Sequence, residues 1–276
     1  MNKETASLER PMIDLADILG QAHVKRTLEV VAAGGHSLLI TGAPGYGKTL
    51  LIRALPGLCP TSCLTIELPL GSEDRHVGEI LRETEGDYLV LGDLACWSAT
   101  VLALLRQRAE DSPHLALIAE MRPCPCGNDG DPVCLCACSD EERAAYQARV
   151  APLGKHFDII VAVDRLEYAQ LADKRRAEDS ATVRARVQVA RERQGQRWQG
   201  TPLTCNAEMG PAEARDVCEV GASGATLLKI ATQQFHLSAR AYHRVLKLAR
   251  TIADLAESDL IQDRHLAEAI QYGAQR

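Results

Sequence analysis

The chain has 276 residues, 46% hydrophobic and 25% charged, which suffices for one full α/β core with a smaller domain beside it. A net charge of −6 gives no global pull toward nucleic acid or an anionic membrane, so any such contact needs a local basic face. The opening from Met1 to Thr5 is polar, with no apolar stretch of secretory type, and no apolar run nears the length of a membrane span; a cytoplasmic protein without membrane contact is expected.

In chain order, Ile18-Leu19-Gly20-Gln21 opens a helical stretch, Ala22 to Ala33, that Gly34-Gly35 ends. Strand-like runs follow at Ser37–Ile40, Leu64–Leu68, Tyr88–Leu91, Leu115–Ala119 and Ile159–Val163, with helical runs at Leu50–Leu55 and Ser98–Glu110. Strands that alternate with helices predict a parallel sheet covered on both faces. Ser139-Asp140-Glu141-Glu142 has capping-box form and predicts a helix to about Arg149. After Val163 the texture becomes helical: Ser180–Arg193, Ala225–Phe235, Ser238–Leu255 and Gln262–Tyr272. In the third of these, Val245, Leu248, Ile252 and Leu255 recur on one face, as in a small bundle. The expected organisation is an α/β core over residues 1–166 and a helical linker and lid over residues 167–276, without internal repeats.

The most informative segment is Gly42-Ala43-Pro44-Gly45-Tyr46-Gly47-Lys48-Thr49. It matches the phosphate-binding pattern G-x-x-x-x-G-K-[ST] in full, after an apolar strand and before a helical run. Gly42, Gly45 and Gly47 let backbone N–H groups curl around phosphate oxygens, and the next helix adds its positive end. Lys48 has the reach to touch β- and γ-phosphates, and Thr49 offers a hydroxyl to Mg²⁺. A nucleoside triphosphate with Mg²⁺ is the expected ligand. Cys124, Cys126, Cys134, Cys136 and Cys138 crowd one loop, which points to metal in a reducing compartment more than to a disulfide framework. Thiolate sets suit tetrahedral Zn²⁺, although C-x-C is tighter than the usual C-x₂-C, and a loop of reduced thiols or an incidental disulfide is the alternative. Lys174-Arg175-Arg176, Arg184, Arg186, Arg191, Arg193 and Arg197 make a basic segment. It is either a DNA-facing surface or, favoured without stacking aromatics, a solvated helix balanced by Glu178, Asp179 and Glu192.

Ile18–Gln21, Ala32-Ala33-Gly34-Gly35-His36, the phosphate loop, Arg122-Pro123-Cys124-Pro125-Cys126-Gly127 and Leu237-Ser238-Ala239-Arg240-Ala241-Tyr242-His243-Arg244 together resemble the magnesium-chelatase-like branch of the AAA+ ATPases, and within it the bacterial ComM (YifB-type) group. The resemblance runs from about Asp14 to Tyr272. It implies an AAA+ phosphate-loop parallel sheet, a C-terminal all-helical lid, a zinc-type loop over residues 122–139 and assembly with itself or a related AAA+ subunit in a ring. By the same resemblance Cys124, Cys126, Cys136 and Cys138 are the metal ligands with Cys134 as an extra, and Arg240 is the lid arginine expected at the γ-phosphate. ComM itself acts on DNA as a branch-migration helicase. Its larger N-terminal domain has no counterpart before the ATPase core in this sequence.

Departures from the family pattern predict a shortened and partly degenerate member. Where the family carries an Asp-Glu pair, Asp87 to Trp97 offers only Gly92-Asp93. In one register Gly92 replaces the magnesium Asp and Asp93 stands at the catalytic Glu; slipped by one, Asp93 is the magnesium Asp and no base is left. Loss of the base forfeits about 10²–10⁴ in rate. The family's sensor Asn corresponds to Arg122, and a trans-acting Arg corresponds to His156 with Lys155 beside it, where an arginine is worth about 10³–10⁵. The chain is also short between Leu70 and Gly86 and between Ala109 and His114, where relatives carry pore inserts. Two functions stay open: an ATP-binding regulatory or scaffold subunit with weak or lost hydrolysis, or a working ATPase that remodels DNA or a protein. A zinc-dependent interaction module with a relic phosphate loop is the distant third.

Overall fold

The computed structural model describes residues 13–60, 65–68, 74–83, 88–112, 114–173 and 175–273. Leu64, at the head of the second expected strand, Lys174 in the basic segment and both ends of the short stretch from Leu70 to Gly86 (residues 70–73 and 84–86) lie outside them. The apolar runs form strands β1 (Leu38–Thr41), β2 (Thr65–Leu68), β3 (Tyr88–Leu91), β4 (Ala116–Met121) and β5 (Ile159–Ala162). All pair in parallel in the order β2-β3-β4-β1-β5. Strands buried on two faces must be apolar on both, and the central strands β3, β4 and β1 are, apart from Glu120 and Thr41 at their exits. Leu38, Ile40, Ile118, Ile159 and Val161 face the larger core, while Leu39, Leu89, Leu91, Leu117 and Ala119 face the smaller one.

Helix α1 (Ala22–Gly34) precedes β1, and the helices between strands are α2 (Lys48–Ala54), α3 (Asp74–Glu83), α4 (Ala99–Asp111) and α5 (Asp140–Gly154). The expected capping box forms, with Ser139 and Glu142 bonding reciprocally, and Ser98 caps α4 by accepting from the Val101 amide. That helix runs past Arg149 to Gly154, with Pro152 in its last turn. β4 also runs further than the apolar run alone predicts: it continues past Ala119 through Glu120 to Met121.

The C-terminal part is helical: α6 (Tyr168–Leu171), α7 (Ser180–Arg197), α8 (Pro211–Val217), α9 (Ala222–Gln234), α10 (Ala239–Leu255) and α11 (Asp263–Gly273). Burial of one face of α10 against α11, α7 and α1 joins these helices to the larger core. Polar groups fix the join. His36, fully buried at the foot of β1, bonds the Thr251 hydroxyl of α10 at 2.9 Å, and Gly34 leaves room for that ring, since a Cβ there would meet its Nε2 at 2.3 Å. Arg197 clamps the buried Asp254 carboxylate with two bonds of 2.6 and 2.8 Å.

The basic segment of α7 turns inward to acidic partners. Arg186 pairs with Glu29 and Glu178, Arg193 with Asp259 and Arg197 with Asp254, while Arg191 donates to the Ala32 carbonyl. It fastens α7 to α1 and α10. No helix among the described residues is long and apolar enough to cross a membrane.

Candidate nucleotide and metal sites

The phosphate loop lies at the carboxy-terminal edge of the sheet, between β1 and α2. Gly45 and Gly47 take φ of 83° and 88°, in the left-handed region, with open space where a Cβ would project. Gly42 has a different reason to be glycine: a Cβ there would meet Val163 Cγ2 at 2.3 Å. Lys48 lies at the floor and donates to the Gly42 and Ala43 carbonyls at 2.8 and 2.9 Å. Burial pulls its pKa down, and the charges of Glu120 and then Asp93 act against that pull. A cavity of about 400 Å³ opens over this floor, lined by Gly45, Lys48, Thr49, Asp93, Glu120 and Arg122 among others. The loop curvature, the lysine and the helix start fit a polyphosphate bound by main-chain amides.

Asp93 reaches the cavity, but it is not free. Its Oδ2 accepts from Arg122 Nε at 2.6 Å, and its buried Oδ1 has no hydrogen-bond partner. Arg122 is held in turn by the Pro125 carbonyl at 3.2 Å and by Cys96 Sγ at 3.6 Å. Thr49, in contrast, donates its hydroxyl to Glu120, at 2.8 Å to one oxygen and 3.1 Å to the other. Glu120 is the residue that sequence reasoning missed. Its signal was a single acid near the end of an apolar strand.

Arg240 is not brought to this cavity. Arg244, one turn further along α10, donates to the Phe157 carbonyl at 3.2 Å, just ahead of β5. Arg240 itself is exposed, and its charge acts on His156, whose pKa falls below the ordinary imidazole value through burial first and then Arg240 and Lys155. Arg240, Lys155 and His156 therefore share the amino-terminal edge of the sheet. The phosphate loop sits at the other edge, about one strand length or ~13 Å away.

Cys124, Cys126, Cys136 and Cys138 converge, with their sulfurs all within 4.8 Å of one another. The recorded S···S separations are 3.4, 3.6 and 3.7 Å. A tetrahedral ion with Zn–S bonds of about 2.3 Å requires about 3.8 Å, so the donor set fits a thiolate-bound metal. Amides of Asn128 and Ala137 and the Cys124 thiol hold the Cys126 thiol down to about 6. The Cys126 amide draws the Cys138 thiol down, but burial and the other three thiols outweigh it and push that thiol up to about 12. Four thiolates in contact cannot all ionise unless a cation shares their charge. Cys134 is exposed and stands apart from the cluster.

This cysteine loop abuts the phosphate loop. A Cβ on Gly127 would lie 2.7 Å from Pro44 Cδ, and the Tyr46 hydroxyl donates to the Asp131 carboxylate. The Cys134 amide, Tyr46 and the Val133 amide together hold Asp131 down to about 2. Tyr46, the bulky residue within the phosphate loop, thus joins the two sites through its side chain.

The loop, the five parallel strands in this order and the helical lid define an AAA+ ATPase-type fold. A solved structure of a protein from Cytophaga hutchinsonii shares that fold, with a TM-score of 0.50 at 14% identity, over 93% of this chain and 82% of that one. The model of magnesium chelatase subunit ChlI matches residues 14–70 and 61–171, and that of the ChlI C-terminal part matches residues 177–273. Competence protein ComM of Haemophilus influenzae is 33% identical, and the YifB protein of Escherichia coli 32% identical, each over 95% of this chain. The chain belongs to the magnesium-chelatase family of AAA+ ATPase-type proteins. It spans about 60% of the length of the curated relatives it matches.

Proposed function

We propose that this chain binds ATP with Mg²⁺ at the phosphate loop, hydrolyses it weakly or not at all, and serves as a regulatory or scaffold subunit in an oligomeric ring. Gly42, Gly45, Gly47, Lys48 and Thr49 form the binding half. The observation that carries the weak-hydrolysis reading is the Arg122–Asp93 pair: the acid nearest the role of base is locked at 2.6 Å by a guanidinium. With one oxygen taken by that guanidinium, the side chain is anchored to Arg122 instead of being free to turn toward a water over the phosphates. Arg240 deepens the ring reading. Its position at the sheet edge remote from its own phosphate loop, beside Lys155 and His156, supports a role toward a neighbouring subunit's nucleotide in a head-to-tail ring. Zn²⁺ held by Cys124, Cys126, Cys136 and Cys138 is a structural part of the same reading, closed to substrate if all four thiolates engage.

A slow but working ATPase motor, acting on DNA or on a protein, is the second reading, and the Glu120 carboxylate at Thr49 favours it. The inward pairing of the α7 arginines weighs against DNA contact through that segment. ATP affinity measured beside phosphate release separates the two. The native chain should bind ATP, Lys48→Ala should lose about 2–5 kcal/mol of that affinity, and release should stay at background. Release that Asp93→Ala abolishes would establish the motor. A native chain that binds no adenine nucleotide in Mg²⁺ would overturn both readings.

A further inference from the structure

β3 ends without a side chain where an acid would face the phosphate loop. The register pairs Val90 with Ile118 and Leu91 with Ala119, so one step further Gly92 stands beside Glu120. Both continue the row of Val90 and Ile118, on the sheet face that carries Ile40 and the larger core. The strands lie about 4.8 Å apart. A carboxylate missing from one strand has an equivalent on its neighbour, on the same face and at the same level, carried by a side chain one methylene longer than Asp.

Glu120 has a specific environment. Both its oxygens lie within hydrogen-bond reach of the Thr49 hydroxyl, and it lines the cavity over Lys48. Arg122, the nearest guanidinium in that cavity, is spent on Asp93. An anion facing a polyphosphate cradle repels the ligand unless a divalent cation joins them. Mg²⁺ in such sites typically takes one or two carboxylates, a hydroxyl and phosphate oxygens. Together these observations give Glu120 a role that its place in an apolar strand otherwise leaves without a reason.

We propose that Glu120 supplies from β4 the magnesium-side carboxylate that β3 lacks at Gly92, binding Mg²⁺ together with Thr49 and the triphosphate. The inference rests on the reading that the phosphate loop binds ATP. On this assignment Asp93 is not the metal carboxylate, and its pairing with Arg122 costs the site turnover but not the ion.

The test compares ATP affinity with Mg²⁺ and with EDTA for the native chain, Glu120→Gln and Glu120→Gln/Gly92→Asp, with thermal melts to establish folding. For the native chain Mg²⁺ should tighten ATP binding about tenfold or more, a coupling of ordinary size. Glu120→Gln should bind metal-free ATP at least as tightly as the native chain, because a negative charge has left the cradle, while its Mg²⁺ benefit falls below about twofold. Gly92→Asp should then restore the benefit from the neighbouring strand. Electron paramagnetic resonance of Mn²⁺ with a non-hydrolysable ATP analogue should show weakened ion binding in Glu120→Gln and its recovery in the double variant. A full Mg²⁺ response in Glu120→Gln would overturn the assignment. So would equal weakening with and without the ion, which is the mark of a purely structural Glu120–Thr49 contact. No nucleotide binding by the native chain in either buffer would remove the ATP reading and this inference together.

Discussion

The exits of β1 and β3 lie at the same edge of one sheet, yet they have fared differently. At β1 the phosphate-binding pattern is complete from Gly42 to Thr49, and its backbone adopts the left-handed turns that the glycines permit. At β3 the strand exit carries Gly92-Asp93, and its one acid is tied to Arg122. The first site recognises phosphate mainly with main-chain amides, so it survives while its glycines and one lysine survive. The second depends on two side chains aimed from a single strand end, where each substitution removes a whole function. On the proposed function, binding and turnover rest on different strand exits and are therefore separable by experiment.

The sharpest way to break the comparison is to rebuild β3. Gly92→Asp, Asp93→Glu and Arg122→Asn together restore the family's acid pair and neutral sensor. Phosphate release should rise by about 10²–10⁴, the usual worth of general-base assistance. ATP affinity should change far less, since the β1 exit is untouched. A rebuilt chain that stays silent while binding ATP would place the deficit outside the β3 exit, with His156, the position proposed to act in trans, the next to change.

A second, smaller effect concerns what steadies the β1 exit. The cysteine loop presses Gly127 onto Pro44 and holds Tyr46 through Asp131. If the four thiolates hold Zn²⁺ as proposed, its release by a zinc-selective chelator, with Mg²⁺ kept saturating, should therefore weaken ATP binding about fivefold or more, within the ordinary range of site-to-site coupling. Cys136→Ser should reproduce the loss and lower the melting temperature. Unchanged affinity after verified metal loss would show that the two loops touch without coupling.

Much of this was legible in the sequence, for reasons that differ by residue. The phosphate loop declares itself because glycines are required at fixed offsets, and the capping box at Ser139 because its two bonds are local. Cys124, Cys126, Cys136 and Cys138 converge over a short stretch of chain. Glu120 was hidden because the apolar run gives β4 an apparent end at Ala119, and because its partner Thr49 lies 71 residues away through a non-sequential pairing of β4 with β1. Arg240 was legible as a lid arginine but not in its placement, which depends on how α10 docks on the sheet. The acids that pair the α7 arginines include Glu29, 157 residues distant, where the sequence pointed only to neighbours such as Glu178.

The smallest expected effect tests whether His156 can act as a cation. Its side chain is 6% exposed, with Glu110 3.5 Å from Nε2, and burial, Arg240 and Lys155 lower its pKa from the ordinary 6.5. Between that lowered value and 6.5 the unfolded chain binds the proton more readily than the folded one. The contribution to stability is therefore complete above pH 6.5 and is lost as pH falls through the folded-state value. The melting temperature of the native chain should drop on acidification below about pH 6.5, and His156→Gln should flatten that part of the profile. At neutral pH the native side chain is uncharged and contributes no positive charge to a neighbour's triphosphate. A profile in which His156→Gln falls as steeply as the native chain would show that other groups govern the acid limb, and that the imidazole is free to take a proton in the folded state.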